Sequence, residues 1–395
     1  MYKKYSLLFS IMLVYLFSAA QKFPDLAPTP PMGWNSWNFY NCHIDEAKVK
    51  QMADAMASNG MKEAGYQYIV IDDCWQVSRD SAGYIIADPV KFPSGIKALS
   101  DYVHSKGLKF GIYSCGGTMT CAKRPGSAGY EDRDAKRYAE WGVDYLKFDW
   151  CNSNGLKSVE EYSKMRDALH RAGKPIVFSL CEWGSTKPWL WADTVGQLWR
   201  TTGDIQDHFN KGHGVLKIFD EQSKIRLHNK PNAWNDPDML EVGNKGLTTT
   251  ESRTHFTLWC MMSAPLMCGN DIFNMKKNIL QILTNKNALA VDQDKLGVPC
   301  FLWRTTATGI EVWLKPLADG NFAVCFLNRS SNAIPLVEFN FNQTAVDADF
   351  NKTYTMDGSY SLFDIWENKD LGASDKKLTA TLNGHEALFL LMKKK

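Results

Sequence analysis

From Pro30 onward, short apolar runs rich in β-branched and aromatic residues alternate with longer stretches of helical period, and this rhythm leaves few architectures open. Eight such runs can be read. They are "MGWNSW" at 32–37, "YQYIVIDD" at 66–73, "KFGIYS" at 109–114, "DYLKFDW" at 144–150, "PIVFSLCEW" at 175–183, "QLWRTTGD" at 197–204, "NAWNDPDM" at 232–239 and "PLMCGND" at 265–271. The stretches between them are amphipathic. In "VEEYSKMRDALHRAG", Val159, Tyr162, Met165 and Leu169 recur near helical period, and Gly107, Gly142 and Gly173 fall where such helices should stop. Alternating strand and helix implies a parallel sheet, and eight units in about 260 residues is the size of one closed (β/α)8 barrel. The rival is a doubly wound open sheet, whose usual fingerprint, G-x-G-x-x-G or a Walker loop, the chain lacks.

The texture changes near Val291. "IEVWLKPLADGNFAVCFLNRS" reads as two alternating strands around an Asp319-Gly320 turn, and "LTATLNGHEALFLLMK" as a closing pair. The expected fold is therefore α/β: a (β/α)8 TIM barrel over 21–292, followed by a C-terminal antiparallel β-sandwich domain over 293–395. Residues 1–20 stand apart. A basic start, an apolar stretch from Leu7 to Phe17 and small residues Ser18, Ala19 and Ala20 match a secretory signal peptide cleaved after Ala20. Export to a periplasm or the exterior follows, with no membrane association after cleavage, and among ten cysteines a few disulfides are expected.

The run "YLKFDWC" at 145–151 says what the barrel is for. Side chains alternate along a strand, so Tyr145, Lys147 and Asp149 share one face and Leu146, Phe148 and Trp150 the other. A barrel strand buries its oily face under helices and turns the other inward, toward a mouth at its carboxyl end. Other runs also carry polar residues: Asp72 and Asp73, Glu182, Arg200 and Asp204, Asp236 and Asp238, Asn270 and Asp271. Any one of these could cap a helix or a turn, and about half would on ordinary grounds. Their joint placement at corresponding ends instead suggests converging carboxylates with cations, the chemistry of glycoside hydrolysis.

Local charge gives partial roles. Lys147 lies on the face of Asp149 and favours an ionised nucleophile, whereas a general acid needs a raised pKa. Arg200 would lower Asp204, so the residues alone do not identify the acid. With 45 basic and 43 acidic side chains well mixed, nothing points to nucleic acid or an anionic membrane, and a small neutral partner fits better. Asp72-Asp73 could hold a metal, but no H-x-H or H-E-x-x-H accompanies them, and His208 and His213 have no clear partner; no metal or other cofactor is expected. There is no G-x-S-x-G elbow, and Cys181 lacks an identifiable histidine partner.

Taken together, "PPMGWNSW", "YIVIDDCW", "GIYS", "RPGSAGYEDRDAK", "WGVDYLKFDWC", "SLCEWG", "WRTTGDIQD" and "WNDPDML" resemble the α-galactosidases of glycoside hydrolase family 27, in order from about residue 28 into the C-terminal domain. The resemblance implies a retaining exo-glycosidase for terminal α-linked D-galactose that needs no cofactor. By position, Asp149 resembles the nucleophile and Asp204 the acid/base. Trp37, Asp72, Asp73 and Lys147 resemble residues that hold the galactose ring, with the paired aspartates suited to its axial 4-hydroxyl. Tyr113, Cys181, Glu182, Trp183, Arg200, Asp238 and Met239 match other pocket positions, with Cys181 and Glu182 where the family reads the sugar 2-position. Disulfides Cys42 with Cys74 and Cys121 with Cys151 are implied by the same matching. One departure is visible: where many relatives carry Asp after "GIYS", this chain has Cys115-Gly116-Gly117, which points to a different pocket wall or aglycone side. The competing functions are a β-L-arabinopyranosidase of the same family, a catalytically silent galactose-binding protein and a metallohydrolase on the same barrel.

Overall fold

The computed structural model describes residues 22–356 and 358–395, so the expected signal peptide over 1–20 lies outside them. Each of the eight runs contains a strand: β1 (Met32–Asn35), β2 (Tyr68–Val70), β3 (Lys109–Cys115), β4 (Tyr145–Asp149), β5 (Val177–Cys181), β6 (Leu198–Arg200), β7 (Trp234–Asp236) and β8 (Leu266–Cys268). They pair in parallel in chain order, and β8 returns to β1 through Met32 opposite Leu266. Leu240, just after β7, bridges Cys268 of β8 in parallel and closes the ring.

Period two sorts the strand residues into two cores. Leu146 and Phe148 of β4 join Phe110, Ile112 and Phe178 in the large cluster beneath the helices, all at most 2% exposed. Tyr145 instead packs inside the barrel with Tyr68, Val70, Val177, Leu198, Trp234 and Met267. Covering the outer face are helices such as Ser158–Ala172, which buries Ser158, Glu161, Tyr162, Met165, Ala168 and Leu169 in an i, i+3, i+4 stripe. Val159, expected in that stripe, is 44% exposed because the buried face runs through Ser158 and Glu161. Gly142 and Gly173 end their helices in left-handed conformation, as their positions suggest.

The second domain is all antiparallel. The hairpin around Asp319-Gly320 forms as expected, β10 (Glu311–Pro316) pairing with β11 (Phe322–Leu327), with β9 (Phe301–Thr305) at the edge. Four more strands follow: β12 (Ile334–Phe339), β13 (Thr344–Asp347), β14 (Lys352–Thr355) and β15 (Tyr360–Asp364). After β16 (Lys369–Ala373), the last two strands depart from expectation. β17 (Leu378–Leu382) and β18 (Ala387–Lys394) do not pair with each other: β17 joins β12, and β18 enters the main sheet, whose order is β9-β10-β11-β18-β15-β16. The Asn383–Glu386 turn carries the chain across, with His385 at φ 60° and Glu386 accepting from the Asn383 N–H at 2.6 Å. Asn328, in one of three N-x-S/T motifs, spends its amide on the carbonyls of Asn332, Leu382 and Asn383 at this crossing.

The domains share buried side chains. Trp313, Ala323, Cys325, Phe389 and Leu391 belong to the same core cluster as the barrel helices. Lys315 of β10 is fully buried and donates to the Cys260 carbonyl (2.8 Å), Ser263 Oγ (2.7 Å) and the Val291 carbonyl (2.7 Å), at the carboxyl ends of two barrel-domain helices. Arg226 does the reverse, binding Asp347 of β13 through two nitrogens at 2.7 and 2.8 Å.

Candidate active site

The carboxyl ends of the barrel strands surround a small cleft. Trp37, Asn38, Asp72, Asp73, Tyr113 and Cys121 line one side. Lys147, Asp149, Trp183, Arg200, Asp204, Asp238 and Met239 complete it. Asp149 and Asp204 thus face one space, from the end of β4 and the loop after β6.

Register explains the convergence. Asp149 stands opposite Cys115 of β3 and Cys181 of β5, and Lys147 opposite Tyr113, so neighbouring inward positions meet in one layer. Lys147 Nζ donates to Asp72 Oδ2 at 2.8 Å, and Asn35 Nδ2 donates to the same oxygen at 2.8 Å. Asp73 accepts from the backbone N–H groups of Cys74 (2.7 Å) and Ala122 (2.8 Å). Asp149 accepts from the Tyr113 hydroxyl at 3.0 Å and the Trp150 N–H at 3.0 Å. Burial raises Asp149 to about 6, against Lys147, the Trp150 N–H and Tyr113, which favour its charge. Burial opposes the charge of Lys147, but Asp72 and then Asp149 more than restore it.

Asp204 differs in every respect. Its side chain is 68% exposed at the rim, and Arg200 donates to it at 3.0 Å while also pairing with Asp238 at 2.8 Å. The partial desolvation that raises Asp204 is outweighed by Arg200, then Lys147, so its carboxyl sits below the ordinary range. The cleft therefore has a buried carboxyl lifted to about 6 and a rim carboxyl held down by a guanidinium. Asp238, lifted to about 6 by burial against the pull of Arg200, receives the Ile205 N–H at 2.8 Å and so fixes the start of the segment after Asp204.

Two expected pocket residues lie elsewhere. Cys181, opposite Asp149 in register, does not line that cleft but an adjoining space with Asn35, Tyr145, Ser179 and Asp236, its sulfur 3.7 Å from Arg200. Glu182 is fully buried and is not among the residues lining the cleft. Its carboxylate accepts from Thr186 N–H (3.0 and 3.1 Å) and Oγ1 (2.7 Å), because an inward Cys181 sends the next side chain outward. Trp183 still reaches the cleft, at φ 56° in the turn that Glu182 closes. Asn38 is the pocket residue missed in the sequence; its only signal was its place in "WNSWN". It donates to Glu241, which also accepts from Asn244, and burial lifts Glu241 to about 7 while these amides favour its charge.

Both implied disulfides are present, Cys42–Cys74 and Cys121–Cys151, and the second joins the cleft wall to the residue two past Asp149. Cys121, Asp149 and Cys151 form the sole cluster of metal-ligating residue types found among the described residues, but disulfide sulfurs offer no thiolate to an ion. The departure at Cys115 lies behind the wall and not in it. Cys115 is buried, its thiol 3.1 Å from the Cys151 carbonyl, and a Cβ on Gly117 would stand 2.0 Å from that same oxygen. Only glycine lets the two loops touch.

Residues 29–294 match the family described as Alpha galactosidase A, and residues 307–392 the α-galactosidase C-terminal β-sandwich domain. The chain belongs to the α-galactosidases of glycoside hydrolase family 27. It is 46% identical to α-galactosidase A of Cellvibrio japonicus, over 97% of this chain and 96% of that one. It is 46% identical to the α-galactosidase of Cyamopsis tetragonoloba, over 91% and 85%. α-Galactosidase I of Mortierella vinacea superposes with a TM-score of 0.86 at 36% identity, covering 94% of this chain and 98% of that one. A β-L-arabinopyranosidase of the family from Geobacillus stearothermophilus is more distant, 26% identical with a TM-score of 0.79 over 94% and 98%. The protein is a glycoside hydrolase, an α-galactosidase.

Proposed function

We propose that this α-galactosidase releases terminal α-linked D-galactose from oligosaccharides or glycoconjugates by double displacement, with Asp149 as nucleophile and Asp204 as acid/base. The observation that carries the reading is that these two carboxyls, one buried and one at the rim, line a single cleft. An Asp149 oxygen attacks the anomeric carbon while Asp204 gives its proton to the departing glycosidic oxygen, leaving a glycosyl ester on Asp149. Asp204, now a carboxylate, takes a proton from water, whose oxygen attacks the same carbon and returns Asp149; two inversions give net retention.

The buried position of Asp149 suits a nucleophile that must shed water before attack, and Lys147 and Tyr113 keep it ionised above about pH 6. Asp204 starts on the wrong side for an acid. A pyranose covering it removes water and raises it, so the proton it donates is gained on substrate binding. Asp72 and Asp73, with Lys147 on Asp72, offer oxygens to the 4-hydroxyl, and Trp37 offers an aromatic face to the ring. The amino-terminal sequence supports export of the enzyme to a periplasm or the exterior.

The test is a set of substrates and variants. Nitrophenyl α-D-galactoside is turned over with α-galactose as first product by NMR, and more efficiently than nitrophenyl β-L-arabinopyranoside. Asp149→Asn removes turnover. Asp204→Ala keeps glycosylation by activated aryl galactosides and is rescued by azide as the α-galactosyl azide, because azide displaces Asp149 from the β-linked glycosyl ester with inversion. A β-galactosyl azide from this variant, or a β-anomer as first product of hydrolysis, would overturn the mechanism.

A further inference from the structure

Nothing in the proposed mechanism calls on the β domain, yet one of its side chains reaches the segment that carries Asp204. The Asp204 side chain is 68% exposed, with Arg200 and Trp183 as its side-chain partners, so where its carboxyl stands depends on the backbone beneath it. That backbone belongs to a loop folded on itself between β6 and the helix Val215–Ser223. The Gln206 N–H donates to the His213 carbonyl at 3.0 Å, and a Cβ on Gly203 would stand 3.0 Å from the His213 ring, so the far arm of the loop grips both sides of Asp204. Between Gln206 and Gly212 the one buried side chain is Phe209, at 3% exposure, and its carbonyl accepts from the Leu216 N–H at 2.9 Å. Phe209 is the anchor of this loop in the body of the protein.

The surface that receives the anchor comes from the other domain. The His385 ring stacks on Phe209, with centroids 4.6 Å apart and planes at 28°. His385 is itself fixed on three sides. Its Nδ1–H donates to Glu251 Oε1 at 2.8 Å, since a carboxylate only accepts; the Thr254 hydroxyl donates to its carbonyl at 2.8 Å; and its N–H donates to the Ser330 carbonyl at 2.9 Å. The other oxygen of Glu251 closes the cap of the helix Thr249–Met262 with Thr248, so the group that orients the imidazole is also held. A general acid must stand within hydrogen-bond reach of the leaving oxygen, and a misplacement of about 1 Å costs on the order of 100-fold. We propose that His385 is a positioning residue for the acid/base step: by bracing Phe209 it holds the loop so that Asp204 meets the glycosidic oxygen, which gives the β domain a part in the reaction. This rests on the assignment of Asp204.

The experiment measures kcat/KM of the full enzyme for two galactosides that differ only in the leaving group: 2,4-dinitrophenyl α-D-galactoside, whose phenolate departs without a proton, and phenyl α-D-galactoside, whose phenolate needs one. Their ratio cancels any difference in the fraction of enzyme folded. In His385→Asn, which tolerates the left-handed backbone at φ 60° but lacks the ring, the phenyl substrate slows roughly 10-fold and the dinitrophenyl substrate less than about 2-fold, while the inhibition constant of galactose is unchanged. Phe209→Leu gives the same pattern, and the double variant is no worse than either. His385→Phe, which keeps a ring and gives up the bond to Glu251, restores the phenyl rate even if urea shows it less stable. Equal loss on both substrates, no loss in either single variant, additive losses in the double variant, or failure of phenylalanine to restore the rate would overturn the proposal. Asp204→Ala is the reference. If it slows both substrates alike, the acid/base assignment has failed and this proposal with it; if it is selective and His385→Asn is not, this proposal alone falls.

Discussion

The hydroxyl of Tyr113 donates to Asp149 Oδ2 across 3.0 Å, from the position directly opposite Lys147 on the neighbouring strand. The buried carboxyl thus meets a hydroxyl and a cation on its inward side. Burial raises its pKa to about 6, and both neighbours resist the rise.

The acid limb of the pH profile should report this balance. Asp149 must be ionised to attack, so kcat/KM falls as pH drops through about 6. Tyr113→Phe removes a bond that favours the charged form, so the limb moves to higher pH by about one unit. A limb that stays in place in this variant would mean that another group controls it.

Arg200 is shared by Asp204 and Asp238. Asp238→Asn removes an anion that competes for the guanidinium and repels the Asp204 charge, so Asp204 becomes harder to protonate. The alkaline limb of kcat should move to lower pH, the opposite sense to the Tyr113 variant. pH-rate profiles of both proteins check the signs together.

The Cys121–Cys151 bridge spans 30 residues, for which chain entropy suggests roughly 3–4 kcal/mol. Replacing both cysteines by serine should lower stability by that order in urea titration. It should also lower kcat more than it raises KM, because the loop behind Asp149 loses its tether while Asp72 keeps its contacts with Asn35 and Lys147. Equal kcat with full destabilisation would confine the bridge to folding.

Lys315→Met leaves Ser263 Oγ and the Cys260 and Val291 carbonyls without their buried donor. A loss of about 3 kcal/mol is expected, as for buried acceptors left without a donor. Urea unfolding followed by tryptophan fluorescence would measure it, and a loss under about 1 kcal/mol would show that the domains do not depend on this contact.

The barrel was legible because its signal is local. Each strand of three to seven residues announces its buried faces by alternation, and glycines such as Gly142 and Gly173 mark where helices end. Partner choice is not local. β17 and β18 are adjacent in sequence with a turn between them, as in a hairpin, yet they join different strands, since pairing is decided by which faces need covering. Glu182 was legible by period two from Cys181, but the "CEW" motif pointed it at the sugar, whereas its side chain holds Thr186. The low pKa direction of Asp204 was foreshadowed by Arg200 four residues earlier. That of Asp149 was not, because Lys147 is visible in the sequence and burial is not.

β18 spans Ala387–Lys394, the last eight-residue element of the chain, yet it lies between β11 and β15 in the middle of its sheet. It has a partner on each side, so withdrawing it would part β9, β10 and β11 from β15 and β16. Ala387, Phe389 and Leu391 of the same strand lie in the core shared with the barrel helices. One element thus rivets the two halves of the sheet to each other and the sheet to the barrel.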